Sequence, residues 1–191
     1  MNHVFIPSAD DLEQELKREI YKQRYRKTLK STLYALITTA AAAVLVATLL
    51  MPVLKIYGSS MSPTLTEGDV VVSVKVQEFQ QSDIVAFYYG NKLLVKRYIA
   101  GAGQWVDMDE NGMIRVDGNL LQEPYVDSLS YGNADISFPY QVPEGKYFLV
   151  GDHRSVSVDS RHSVVGSVAK ENIVGKIVFC IWPLERFGPI S

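Results

Sequence analysis

Three short segments carry the residue types that could do chemistry in this chain. The first is Gly58-Ser59-Ser60-Met61-Ser62-Pro63-Thr64-Leu65 and the second is Leu94-Val95-Lys96-Arg97-Tyr98. The third is Gly151-Asp152-His153-Arg154-Ser155-Val156-Ser157-Val158-Asp159-Ser160-Arg161. Each has an ordinary explanation by itself. Ser60 could be a loop serine bonded to nearby backbone, and Lys96 a strand-edge lysine that deters aggregation. Asp159 and Arg161 could be an exposed ion pair of little worth. The second segment argues otherwise. It reads as a strand, so Leu94, Lys96 and Tyr98 share one face while Val95, Arg97 and Ile99 share the other. If both faces are covered, one of two neighbouring cations must enter an apolar setting. Lysine tolerates this by losing its proton, and arginine effectively cannot. Desolvation disfavours the ammonium, so a buried Lys96 would be neutral near physiological pH. A neutral amine can take the proton of a serine hydroxyl, which is otherwise a weak nucleophile. Ser60 with Lys96 as general base would run serine-peptidase chemistry without a histidine.

The elements that must hold these residues follow from the pattern after residue 55. Runs rich in Val, Ile, Tyr and Phe alternate with Gly, Pro, Asn and Asp. Candidate strands are Asp69–Val76, Asp83–Tyr89, Lys92–Ala100, Trp105–Met108, Ile114–Val116, Lys146–Val150 and Ile173–Cys180. Gly90-Asn91, Asn111-Gly112 and Asp117-Gly118 mark tight turns between them. No strong helical period appears here, and Tyr125–Pro143 reads as a long loop or irregular hairpin. The fold class expected is therefore mainly β: an antiparallel β-rich body over residues 55–191, large enough for its own core.

What precedes the body is different. Ser31 to Leu54 contains no charged residue, and Leu33–Leu54 is apolar enough and long enough to span a bilayer as a helix. A cleavable signal peptide would have a shorter start and a small-x-small cut site, whereas Met51-Pro52-Val53-Leu54-Lys55 follows this run. Residues 31–54 are thus expected to be an uncleaved transmembrane anchor in the lipid bilayer. Lys22, Arg24, Arg26, Lys27 and Lys30 lie on one side of it and only Lys55 just beyond the other. The positive-inside rule then puts residues 1–30, a basic and helical leader, in the cytoplasm and the body outside. The formal net charge of −2 gives no hint of nucleic-acid binding. Cys180 has no cysteine partner and sits in an apolar run, so it reads as a buried structural thiol. His3, His153 and His162 are too scattered for a metal site, and no metal or organic cofactor is needed for the chemistry.

The three segments together resemble the bacterial type I signal peptidases, which remove signal peptides from exported preproteins. Ser60-Met61-Ser62-Pro63-Thr64-Leu65 matches that family's Ser-Met-x-Pro-Thr-Leu motif, and Val95-Lys96-Arg97 matches the segment of its general-base lysine. Gly151-Asp152 and Ser157-Val158-Asp159-Ser160-Arg161 match its Gly-Asp-Asn-Arg…Ser-x-Asp-Ser-Arg segment. Weaker echoes are Asp83-Ile84-Val85, Val116-Asp117-Gly118-Asn119, Glu123-Pro124-Tyr125 and Trp182-Pro183-Leu184. The resemblance implies that Ser60 attacks the scissile carbonyl and that Lys96 accepts its proton and returns it to the leaving amine. It further implies that Ser157 orients the lysine amine and that Asp159 and Arg161 form a supporting ion pair. The Ser60 N–H would serve the oxyanion hole, and Met61 would pack near the substrate cleft. Substrates would be preproteins with small residues, typically Ala-x-Ala, before the cut. Membrane location, a single pass and a β-rich body with an exposed apolar surface are implied as well.

The departures are local. Gly58 stands where some members carry an oxyanion-hole Ser or Thr, so one donor is unassigned near the substrate. His153 replaces the usual Asn, Ser82 the Gly before Asp-Ile-Val, and Ile99-Ala100-Gly101-Ala102-Gly103-Gln104 departs from the Ile-Gly-x-x-Gly-Asp pattern. Two other readings stay open at this level. One is a Ser–Lys autopeptidase of the SOS-repressor kind, which the anchor and the lack of a DNA-binding domain disfavour. The other is a membrane-anchored β-module that binds partners without catalysis.

Overall fold

The computed structural model describes residues 9–190; residues 1–8 of the expected leader, His3 among them, lie outside the described residues. A helix, α1 (Ala9–Leu50), precedes a compact body that begins at Leu50. Within α1, Leu12–Val46 is long and apolar enough, by length and composition, to cross a membrane. Two polar side chains of its apolar half bond within the helix. Thr38 Oγ1 donates to Tyr34 O at 2.9 Å and Thr39 Oγ1 to Ala35 O at 2.9 Å. The helix stops before Pro52, whose ring and missing N–H end helices and bias the residue before them. Here the structure differs from the hydropathy run, which extends to Leu54. Val53 and Leu54 belong instead to β1 (Val53–Lys55).

The body continues with β2 (Val70–Val74), β3 (Ile84–Tyr89), β4 (Lys92–Ala100), β5 (Trp105–Met108), β6 (Ile114–Val116) and β7 (Asn119–Leu120). After these come β8 (Tyr140–Gln141), β9 (Lys146–Val150), β10 (Val168–Ala169), β11 (Ile173–Trp182) and β12 (Gly188–Pro189). All pairings are antiparallel. The larger sheet runs β1-β2-β11-β3-β4-β9-β10, with β12 on β11, and the smaller runs β7-β6-β5-β8.

Turn chemistry fixes the register of the hairpin that carries Lys96. Tyr89 faces Lys92 across β3 and β4, leaving Gly90 and Asn91 as the loop, and Gly90 takes φ +56° where a two-residue turn needs it. Asp117 and Gly118, at φ +51° and +80°, likewise join β6 to β7. β3 pairs the whole of β4, but β9 pairs β4 only from Arg97 onward. One edge of Lys92–Lys96 therefore carries no strand among the described residues. β1, at the end of the sheet order, has a second unpaired edge.

Three apolar clusters hold the body. Ile56, Met61, Leu65, Val71, Ile84, Ala86, Ile177 and Cys180 form one, so the lone thiol is a core residue. Val85, Phe87, Tyr98, Leu149 and Val168 form a second. The third joins the two sheets through Ile99, Val106, Ile114, Phe148 and Val150. Burial of these side chains is the main driving force for the body, at about 25 cal/mol per Å² of apolar surface removed from water.

Candidate active site

Ser60 sits in the turn that follows β1. Gly58 adopts φ +78°, a left-handed conformation that side-chain-bearing residues rarely take, and open space surrounds the place of its missing Cβ. Ser62 N donates to Ser59 O at 3.1 Å and Leu65 N to Met61 O at 2.8 Å, so the chain coils tightly after the serine. The Ser60 carbonyl is held from outside, by the His153 N–H at 3.1 Å. Its own N–H finds no acceptor among the described residues.

Lys96 lies in the middle of β4 opposite Val85 and is 3% exposed. Its Nζ donates to Ser60 Oγ at 2.6 Å and to Val95 O at 3.2 Å. Burial pushes its pKa down from 10.5 to about 8; Asp159 and Asp152 pull it up and Arg161 pushes it down further. No carboxylate is within salt-bridge distance of it among the described residues.

Its neighbour solves the same problem the other way. Arg97 is fully buried on the opposite face and is paired. Arg97 Nε donates to Asp152 Oδ1 at 2.8 Å and Nη2 to Asp152 Oδ2 at 2.7 Å. Nη1 donates to Ser82 O at 2.6 Å, and the guanidinium stacks on the Tyr125 ring at 3.7 Å. Thr64 Oγ1 donates to Asp152 Oδ2 at 2.6 Å, which ties the serine turn to the same carboxylate. Lys96 and Arg97 are thus both inside. The arginine is paired with a carboxylate and the lysine with none, so burial lowers the lysine pKa unopposed by a contacting partner.

The third segment is equally buried. Arg161 Nε donates to Asp159 Oδ1 at 2.8 Å and Nη2 to Asp159 Oδ2 at 2.9 Å, with both side chains inaccessible. Burial alone would raise the Asp159 pKa. The Arg161 fork and the Gly151 N–H, at 2.9 Å, outweigh it and hold that pKa below the usual carboxylate value. The pair anticipated from the sequence therefore exists, as a buried bidentate one rather than an exposed one. Ser157 is 2% exposed. Its hydroxyl is close enough to Asp159 to help lower that pKa, yet it is outside hydrogen-bond geometry with any group among the described residues, Lys96 included. It sits against the serine turn all the same. A Cβ on Gly151 would meet Ser157 Oγ at 2.1 Å and Ser60 O at 2.6 Å.

A cavity of about 550 Å³ opens beside the Ser60–Lys96 contact. One wall is residues 53–58, including β1, and the other is Lys92–Lys96 on the free edge of β4. Gly58 and Met61 line it, and Met61 also reaches the core at 2% exposure. Leu54, Ile56, Leu93 and Val95 make it largely apolar. No group of His, Cys, Asp and Glu that could hold a metal ion occurs among the described residues.

Several supporting residues had no role assigned from the sequence. Arg97, Asp152 and Thr64 fell within recognisable motifs, but their partners lie 55 and 88 positions away and no local pattern pairs them. Arg154 and Glu123 form another buried pair, in which Nη1 donates to Glu123 Oε2 at 3.0 Å. Burial, with the Glu123 charge second, raises the Tyr125 pKa to about 12, so its neutral hydroxyl donates to Glu123 Oε1 at 3.1 Å.

The chain is similar to several known proteins. The family model described as signal peptidase, peptidase S26, matches residues 29–182. The chain is 31% identical over 173 residues to signal peptidase I of Streptococcus pneumoniae, covering 70% of this chain and 83% of that protein. It is 33% identical over 164 residues to signal peptidase I of Bacillus amyloliquefaciens, covering 79% and 84%. A solved signal peptidase I from Enterococcus faecalis shares 28% identity at a TM-score of 0.44, over 53% of this chain and 98% of that one. This chain belongs to the peptidase S26 family of signal peptidases.

Proposed function

We propose that this protein is a membrane-anchored type I signal peptidase in which Ser60 is the nucleophile and Lys96 the general base. The observation that carries this reading is the 2.6 Å contact between Ser60 Oγ and a buried Lys96 without a carboxylate partner. With the amine neutral, the serine hydroxyl donates across that contact and its oxygen is free to attack the scissile carbonyl. The bond from Ser60 Oγ to the carbonyl carbon forms, and negative charge gathers on the carbonyl oxygen. The free Ser60 N–H is the donor available to it. The protonated Lys96 then gives its proton to the departing amine as the peptide bond breaks. A water, deprotonated by the same lysine, releases the acyl group and restores Ser60. Ser157, buried against the serine turn, is assigned to orient the lysine amine once its hydroxyl turns toward it, while Asp159 and Arg161 hold the segment that carries it.

The cavity fits an extended chain. Four antiparallel pairings separate β1 from β4 in the larger sheet, so the two run in the same sense, both toward the dyad. A substrate strand between them can pair with both unpaired edges. This chain leaves its helix, enters β1 and reaches Ser60 within ten residues of Leu50. A preprotein emerging from its own membrane-embedded segment runs the same way, so the residues before its cut lie along the cavity. Small residues such as Ala-x-Ala suit the shallow apolar walls. In this reading residues 1–30 are the cytoplasmic leader, the span starts near Ser31, and the body from β1 onward lies outside. Exposed Trp182, Leu184 and Phe187 offer the body an apolar surface for the membrane.

The test is cleavage of an Ala-x-Ala preprotein by the full chain in detergent or lipid. Wild type is expected to cut once after the motif, with Ser60→Ala and Lys96→Ala inactive. Cutting by Ser60→Ala would overturn the assignment.

A further inference from the structure

Lys55 and Lys92 stand on opposite walls of the cavity. Lys55 lies five residues before Ser60, and Lys92 four before Lys96. Both are exposed, and neither has an ion-pair partner among the described residues. The Lys55 ammonium lies 5.8 Å from the ring centroid of Tyr57, itself a lining residue. No Asp or Glu lines the cavity. A lysine at a strand edge is ordinarily a guard against edge-to-edge pairing. That role does not require two of them to bracket one groove from both sides.

We propose that Lys55 and Lys92 are specificity-determining residues that select preproteins by the charge a few residues before the cut. This rests on the reading given under Proposed function. At about 3.3 Å per residue along β4, Lys92 stands roughly 13 Å from Lys96, and Lys55, at the end of β1, is at most about 16 Å of chain from Ser60, so the two flank a substrate near its fourth to sixth residues before the cut. An acidic side chain there meets two cations and no carboxylate. A basic one meets the same two cations and is repelled. Because both lysines are solvated, the selection is modest and falls with ionic strength. It acts on preproteins that share the same small residues at the cut, and it distinguishes among them by a feature those residues do not carry.

The experiment uses the full chain in detergent and an Ala-x-Ala preprotein with Glu, Gln or Lys placed in turn at the fourth, fifth and sixth residues before the cut. Wild type is expected to rank them Glu, Gln, Lys in kcat/KM at one or more of these positions. The Glu-to-Lys ratio is expected to be about fivefold at low ionic strength and to shrink at high ionic strength. In a Lys55→Gln/Lys92→Gln variant the ratio should approach one. Each ratio is taken within one variant, so any change in overall activity cancels. Equal rates for the three side chains at every position in wild type, or a ranking that survives in the double variant, would overturn the proposal and leave the peptidase reading intact. Failure of wild type to cut any of the substrates would overturn the peptidase reading and this inference with it.

Discussion

Lys96 is both the proposed general base and a cost to the fold, and pH separates the two. Its pKa falls from 10.5 to about 8, chiefly through burial. Below about pH 8 the amine is charged in the folded and unfolded states alike, and burying that charge carries its full penalty. Between about 8 and 10.5 the unfolded chain binds a proton that the folded chain does not, so stability climbs with pH. Above 10.5 the amine is neutral in both states and the penalty is gone. At about 1.4 kcal/mol per pKa unit the penalty is on the order of 3 kcal/mol, less about 1 kcal/mol for the bond to Ser60. Lys96→Met should therefore be inactive yet more stable than wild type at neutral pH, by about 2 kcal/mol, with the difference closing as pH nears 10.5. Urea unfolding across that range reads it out; a variant less stable than wild type at neutral pH would show that the fold bears no such burden. Wild-type activity should rise through about pH 8, as the base loses its proton.

At the scale of elements, the segment 151–161 is where the serine turn and the lysine strand are brought into register. Gly151 is in it because nothing larger fits. A methyl group there would press on Ser157 Oγ at 2.1 Å and on the Ser60 carbonyl at 2.6 Å, and the second of these is backbone. Gly151→Ala is expected to cost about 1–3 kcal/mol of stability. It should also lower kcat on the order of 100-fold by moving Ser60 off the lysine, with KM nearly unchanged because the cavity walls lie elsewhere. Steady-state kinetics on a folded variant decides it; unaltered kcat would mean that the turn tolerates the shift. The sequence made part of this element legible. Alternation along β4 and the glycine turn at Gly90 placed Lys96 and Arg97 on opposite faces, as found. The pairing of Arg97 with Asp152, and of Arg154 with Glu123, was not legible, because those contacts depend on how β4 and β9 register and on a loop with no period of its own. For the same reason β8, β10 and β12, two residues each, left no alternation to read.

At the scale of the whole molecule, the junction between helix and body is the informative place. Hydropathy ran the apolar stretch through to Leu54, since an apolar strand and an apolar helix look alike over so few residues. The structure gives Val53–Lys55 to the sheet, pairs them with Val70–Val72, and puts Ile56 in the core. Pro52 is bound in as well, its carbonyl accepting from Ser73 N at 2.9 Å. The body thus begins at the foot of the helix, and two shortened chains should behave differently. A chain starting at Met51 keeps β1 and one wall of the cavity. It should fold and cut a soluble Ala-x-Ala peptide at close to the full-length rate. Without its tether, its rate on preproteins embedded in vesicles should fall about 100-fold or more relative to the soluble peptide. A chain starting at Gly58 lacks β1, Leu54 and Ile56. It exposes the edge of β2, opens the core around Met61 and Leu65, and should be inactive on both substrates. Equal activity of the two shortened chains on the peptide would mean that β1 is not a wall of the substrate site. An undiminished rate of the Met51 chain on vesicle-embedded preprotein would mean that attachment through the helix contributes nothing to the rate.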